Sequence, residues 1–495
     1  MEGKQNRAAS KGHCIGATMN RKGSDRLSKL PDDILLNILD QLHVHDAART
    51  SVLSRRWRHL PSMLSQLVID FVHFMPNGAS MLSDDVLVWT NAAVVEATKS
   101  ILELRNPDEY TIHLLRMLFY LNEGDCISIG QTVGHAMTTQ KVEMAEFIII
   151  VEKLPTRCTD DDLIDYGRRF MSFFDACPTA FGGLTRLIVG NLRFGESDIH
   201  NVLKTCQNLQ YLRLFNCDSG NLTVLQLEHP QLNVLNIANC RFESIKLNCL
   251  PKLAQLMVEG WLSFQDPLTF GYVPSLEAVR LAGVGLKRHK LVKLSKILGK
   301  ISVRDLRLNF KSEKIWVQPE LPQKLASVFY KLRLVNLFRV PEGCDLTWTM
   351  FILEAAPFLK ELRMTVWDHW CNMEKDEEMR ASLYSSNKSV EWESSAEDFK
   401  HHNLSVLTIF CFQSEDFLVA FINRIMEVAV NLEDVFLYNM LACDTCKDIR
   451  RPCKFPRTKR QRCSLKKRIN EGNSFAKFHF LTSVTADHVP ISEYP

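Results

Sequence analysis

Cys443, Cys446, Cys453 and Cys463 are the side chains whose type and spacing come closest to a chemical site. Two thiolates separated by two residues can grip one zinc ion, and Cys443-x-x-Cys446 has that spacing. Cys453 and Cys463 stand ten residues apart and no histidine completes a tetrahedral set, so a solvated loop of reduced cysteines stands against the metal site. Asp160-Asp161-Asp162 offers three carboxylates, but consecutive side chains diverge too widely to share a cation. A helix start favours carboxylates through its dipole, and a helical run through Tyr166, Phe170 and Phe173 follows them. His369 sits among Trp367, Asp368 and Trp370, an adjacency that fifteen His and fifteen Cys in 495 residues produce by chance. The signatures G-x-S-x-G, H-E-x-x-H, the Walker glycine loop and G-x-G-x-x-G are absent. The expectation is a non-catalytic chain with no cofactor and no metal.

The same tail carries eleven Lys and Arg from Lys447 to Arg468 against Asp448 alone. Such a run can be a nuclear-import signal, a patch for an anionic partner or a solvated loop. Phe455 is its one aromatic, too few for base stacking. Over the whole chain 60 Lys and Arg meet 57 Asp and Glu, a net charge of +3 that argues against nucleic-acid binding. Hydrophobic residues at 46% and charged residues at 24% describe a globular protein, and 495 residues call for several units or a repeat array. No run of 18 apolar residues occurs, and the first 25 residues lack the apolar heart of a secretory signal. These features predict a protein of the nucleus and/or cytoplasm, without a membrane span and with reduced cysteines.

The elements that would position any site are set by a period. The template L-x-x-L-x-L recurs at Leu184/Leu187/Val189, Leu209/Leu212/Leu214, Leu232/Leu235/Ile237, Leu253/Leu256/Val258 and Leu276/Val279/Leu281. It continues at Val303/Leu306/Leu308, Leu332/Val335/Leu337 and Leu359/Leu362/Met364, then at Leu404/Leu407/Ile409 and Leu432/Val435/Leu437. Successive starts are 25, 23, 21, 23, 27, 29, 27, 45 and 28 residues apart, the leucine-rich-repeat range with one insertion. Each L-x-L predicts a short strand whose inward residues must stack on the next repeat. Cys217 and Cys240 fall at the Asn/Cys position of the repeat and read as structural. Leu222/Leu225/Leu227 and Phe242/Ile245/Leu247 lie midway between main triplets and predict a second extended segment on the convex side.

The N-terminal stretch is Leu30-Pro31-Asp32-Asp33-Ile34-Leu35-Leu36-Asn37-Ile38-Leu39-Asp40-Gln41-Leu42, leading to Leu53-Ser54-Arg55-Arg56-Trp57. Pro31 suits a first helical turn, and Asp32 and Asp33 suit the positive end of the dipole. Asp46 can cap a second helix and Ser54 a third carrying Trp57. About forty residues cannot bury so many Leu, Ile and Trp side chains, so a partner must cover part of them. This pattern closely resembles the F-box, the module by which substrate receptors dock on the adaptor of SCF-type ubiquitin ligases. With the ladder, and with stretches such as Glu313-Lys314-Ile315-Trp316-Val317 and Asp345-Leu346-Thr347-Trp348-Thr349, the chain resembles plant, especially grass, F-box proteins with degenerate leucine-rich repeats.

The fold class expected is α/β: a three-helix F-box followed by an irregular solenoid, with short parallel strands inside and helices or extended segments outside. The expected order is a disordered leader at 1–24, the F-box at 25–67 and a mixed region at 68–180. Repeats follow at 181–441 with an insertion near 367–402, then a basic loop at 442–472 and a last strand and tail at 473–495. The resemblance implies a substrate-recognition subunit bound to the adaptor and through it to cullin, with an unknown protein substrate and no chemistry of its own. It implies adaptor contact by Leu30, Pro31, Ile34, Leu35, Ile38, Val52, Leu53 and Trp57, some of which must instead hold the module together. Substrate contact is expected from outward positions of the strands: Arg186, Gln210, Arg213, Asn233, Asn236, Gln255, Arg280, Arg307, Arg333 and Arg363. A non-ligase repeat scaffold and a small-molecule co-receptor are the alternatives, separated by adaptor binding and by ligand dependence.

Overall fold

The computed structural model describes residues 29–76, 84–103, 105, 110–221, 223–261, 267–284, 291–299, 301–312, 314–341, 343–366, 390, 392, 398–439, 454–469 and 476–482. Among these, fourteen strands form one parallel sheet that advances in chain order from Gln66–Asp70 to Lys477–Leu481. The predicted triplets are its core. Leu187, Leu212, Leu235, Leu256, Val279, Leu306, Val335, Leu362 and Leu407 pair in register across neighbouring strands, and all are buried. Every second residue of a strand points to the same face, so a single period-two pattern repeated in register builds a continuous apolar layer.

Each strand must then turn sharply for the chain to descend the outer side. Asn191, Asn216, Asn239, Gly260 and Gly283 stand one residue past their strands with φ of 59, 48, 53, 61 and 57°. Glycine and asparagine tolerate this left-handed region, and it aims each amide at the next strand. The amides of Asn191, Asn216 and Asn239 donate to the carbonyls of Phe215, Ala238 and Glu259 at 2.8, 2.9 and 2.8 Å. The next residue dives inward: Leu192, Cys217, Cys240, Trp261 and Val284 are buried. Cys217 and Cys240 are thus repeat-core residues, and burial raises the Cys240 thiol well above its ordinary pKa.

On the outer side Val224–Glu228, Ser244–Cys249 and Leu268–Tyr272 form a separate three-stranded parallel sheet. This is the predicted second extended segment; Leu222 lies outside the described residues. Elsewhere the outer side is helical, at Asp198–Thr205, Pro322–Phe329, Met350–Ala355 and Asp416–Val428.

The region 68–180 is corrected from a mixed lead-in to an integral part of the array. Gln66–Asp70, Leu114–Tyr120 and Ala145–Ile150 are the first three strands of the same sheet, with helices Asp84–Glu103 and Glu123–Thr139 between them. Strand starts at 66, 114, 145 and 186 are 48, 31 and 41 residues apart, too long for the repeat spacing to be heard. Glu123–Thr139 also carries Gly130, where a Cβ would meet the Phe173 ring at 2.5 Å and Cys177 Sγ at 2.7 Å. Close helix packing requires glycine there, and glycine hides the helix from propensity.

Asp160–Ala176 begins as expected. Thr159 and Asp162 close a reciprocal capping box, and Lys153 reaches Asp162 Oδ1 at 2.6 Å, so the Asp162 carboxyl is drawn down to about 2. Asp160 lies 3.4 Å from Arg193 and 3.3 Å from Arg241. The acidic triplet is structural. In the described part of the expected loop at 442–472, residues 454–469, the loop is corrected: Lys459–Arg468 is a helix, capped by Thr458 and Gln461, with Leu465 and Ile469 buried. Arg462 and Lys466 lie over the rings of Phe480 and Phe478 of the last strand, at 5.0 and 5.9 Å. Cys443, Cys446, Cys453, the His369 cluster and residues 1–24 lie outside the described residues, as does most of the 367–402 insertion. Cys463 is exposed. No helix among the described residues is long and apolar enough to cross a membrane.

Candidate functional site

The first helix, Asp32–Leu39, starts behind Pro31, which stands outside it as the extended N-cap residue and not within the first turn. The second, Val44–Arg49, begins two residues before Asp46, which sits in its first turn and does not cap it. A 3₁₀ turn, Thr50–Val52, continues it. The third helix is corrected to a run of turns over 55–59 and a 3₁₀ turn, Leu60–Met63. Pro61 has no amide to donate to the Trp57 carbonyl, which an α-helix there would require. Ser54 still orders the turn, its Oγ accepting from the Trp57 amide at 3.3 Å.

Folding sorts the apolar residues into two sets. Leu35, Leu39, Trp57 and Leu60 are buried inside the module, so Leu35 and Trp57 leave the expected docking set. Ile34 and Ile38 remain 41 and 37% exposed on the first helix, Leu42 just past its end is 42% exposed, and Val52 and Leu53 are 85 and 63% exposed after the second helix. Leu42 joins the outward set, which spacing could not separate from the buried one. Pro31 is exposed and Leu30 half-buried. Arg56 fixes both, donating from Nη2 to the Leu30 carbonyl at 2.6 Å and from Nε to Asp32 Oδ1 at 2.8 Å.

The module is welded to the array. Its last residues run into Gln66–Asp70, where Leu67 and Ile69 are buried. Arg105, buried, donates to the carbonyls of Leu64 at 2.8 Å and Tyr110 at 3.4 Å, and desolvation draws its pKa down. The rings of His43 and His73 lie 3.6 Å apart, and those of His45 and Phe74 5.5 Å.

The second surface is the open face of the sheet. In-register pairing places Arg213, Asn236, Met257, Arg280, Arg307, Asn336 and Arg363 on one row across seven strands. Five of the expected residues are brought together there. Arg186 and Gln255 stand one row earlier, level with Tyr211 and Val234. Gln210, Asn233 and Arg333 are corrected: each stands just before the N-terminal end of its strand, and Arg333 is spent on the Phe358 carbonyl at 2.9 Å. The first x residues of the template belong to the turn into the strand, where the pleat has not begun.

The face also holds aromatic partners that the repeat template does not single out. The Arg186 guanidinium lies 3.9 Å from the Tyr211 ring centre, Arg307 4.2 Å from Phe338 and Arg213 5.8 Å from Phe215. Strict alternation in Tyr211-Leu212-Arg213-Leu214-Phe215 is the signal that would have found them. Arg363 forks onto Glu361 at 2.6 and 3.1 Å. Burial draws the Arg280 pKa down and pushes the Asp305 carboxyl up, the latter opposed by Arg304.

A family model described as the At1g61320/AtMIF1 LRR domain matches residues 170–474, more than half of the chain, and an F-box domain model matches residues 27–67. The chain is similar to the F-box/FBD/LRR-repeat protein At3g52680 of Arabidopsis thaliana, 28% identical over 372 residues covering 72% of this chain and 73% of that protein. It is similar to F-box/FBD/LRR-repeat protein At4g00160 of the same plant, 26% identical over 361 residues covering 69% and 72%. A shorter match, 53% identical over 49 residues and 10% of each chain, is to F-box protein At1g80960, also of Arabidopsis thaliana.

Proposed function

The chain belongs to the plant F-box proteins with leucine-rich repeats, and we propose that it is the substrate-receiving subunit of an SCF-type ubiquitin ligase. In this reading the N-terminal module docks on the adaptor, which links it to cullin, and the open face of the array holds a protein substrate. Ubiquitin transfer belongs to the charging enzymes of the assembly, and this chain contributes no catalytic group. Its contribution is positional: a substrate lysine held near the donor gains effective concentration. A rigid weld between module and array serves that end, because freedom between the two sites would dilute the lysine.

One observation carries the reading. The module completes its own core with Leu35, Leu39, Trp57 and Leu60 and still presents Ile34, Ile38, Leu42, Val52 and Leu53 to solvent. Apolar side chains grouped on so small a surface mark an interface. The test is capture of the purified chain by the adaptor–cullin pair, wild type beside Ile38→Asp/Leu53→Asp. Wild type is expected to bind and the variant to lose at least about ten-fold in affinity, roughly 1.4 kcal/mol, with unchanged circular dichroism. Failure of well-folded wild type to be captured would overturn the reading and leave a repeat scaffold.

A further inference from the structure

We propose that the arginine row on the open face receives an extended acidic segment of the substrate protein. This rests on the receptor reading and names the chemistry of its ligand. From Arg213 to Arg363 the row crosses six strand steps, about 29 Å at roughly 4.8 Å each, the span of about nine extended residues. A single phosphate could bridge Arg280 and Arg307, one step apart, but would leave Arg213 about 14 Å away. Length therefore selects a polymer.

Charge selects its sign. Glu361 is taken by Arg363 and Glu259 by Lys311 at 2.7 Å, while Asp305 lies 3.9 Å from Arg304 and acts on Arg280 only from beyond ion-pairing distance. Arg280, at the centre of the row, directs Nη1 to the Met257 sulfur at 3.8 Å and has no carboxylate within ion-pairing distance among the described residues. A half-buried guanidinium in that state gains most from an incoming carboxylate, whose planar pair of oxygens matches its fork.

Two features favour a peptide over a nucleic acid. Arg186 and Arg307 each lie over one face of the Tyr211 and Phe338 rings and compete there with any base that would stack. Asn336 Oδ1 is sheltered on the same row with no donor among the described residues. A peptide N–H can supply that donor after a small rotation of the amide, and a phosphodiester has none to give.

The test is fluorescence anisotropy with the full chain and a labelled Glu/Ala peptide of about twelve residues, beside a Lys/Ala peptide and an oligothymidylate of similar length. The acidic peptide is expected to bind and the other two to bind at least about ten-fold more weakly. Arg280→Gln/Arg307→Gln should weaken the acidic peptide about ten-fold or more, Arg280→Lys should retain most of the binding, and Lys324→Gln, exposed on the outer helix Pro322–Phe329, should bind within about two-fold of wild type. Equal binding of both peptides, preference for the oligonucleotide, or a double variant that folds and binds like wild type would overturn the proposal. Adaptor capture is measured on the same preparations. Capture intact with the acidic peptide unbound sinks the acidic-segment reading alone, whereas lost capture sinks the receptor reading.

Discussion

His229 and His401 occupy the same place in two distant repeats, three residues before Leu232 and Leu404. Each is buried, and each bonds from Nε2 to a carbonyl of the preceding repeat, Cys206 and Ala356, at 3.0 Å. Each Nδ1 accepts a backbone amide, from Gln231 at 3.2 Å and from Leu404 at 3.0 Å. Only a neutral ring with its proton on Nε2 can do both. Burial accordingly lowers both pKa values from the ordinary 6.5. Because the folded values lie below the unfolded one, this stabilisation is complete above about pH 6.5 and is lost as pH falls through the lowered values. The melting temperature should therefore drop between pH 7.5 and 5.5, and His229→Gln/His401→Gln, less stable at pH 7.5, should show a shallower dependence in a calorimetric series. Neither histidine stood out in the sequence, since a histidine three residues before a leucine declares nothing until the repeats stack. The F-box residues teach the same lesson: Ile34 and Leu35 are neighbours of similar hydropathy, and only the packing of the core, which buries one and not the other, divides them.

At the scale of elements, Asp160–Ala176 was legible because its cap, its acidic first turn and its aromatic stripe are all local. Its seat was not. A Cβ at Gly167 would stand 1.9 Å from the Arg193 carbonyl oxygen, and the Arg193 amide donates to the Leu163 carbonyl at 2.9 Å. The helix lies against the array's backbone with no room for a methyl group. Gly167→Ala should cost about 1–3 kcal/mol or more by overpacking, read as a lower urea midpoint at unchanged m-value. Gly124→Ala, with nothing within 4 Å, should change stability by less than about 1 kcal/mol. The stretches that carried the family resemblance prove architectural: Phe310 packs 5.6 Å from both Trp316 and Trp348, and all three are fully buried.

The whole molecule is a stack in which each repeat touches its neighbours, so its ends are its weak points. The N-terminal end is closed by the docking module. At the other end Lys477–Leu481 pairs with Asp434–Tyr438, Phe478 level with Val435 and Phe480 level with Leu437, and Lys459–Arg468 rests on those rings. A chain ending at 439 should expose an apolar sheet edge and self-associate, seen by light scattering as a mass above the monomer's where the full chain remains monomeric.

The sequence by itself determined the repeat period, the identity of the repeat-core residues, the strand direction and the presence of an F-box module, because each is written in short motifs and in their recurrence along the chain. Tertiary structure decided where the array begins, which module residues face outward, and which strand residues form a single row. Those depend on register between segments twenty or more residues apart and on which face a distant element covers, and no local spacing records either.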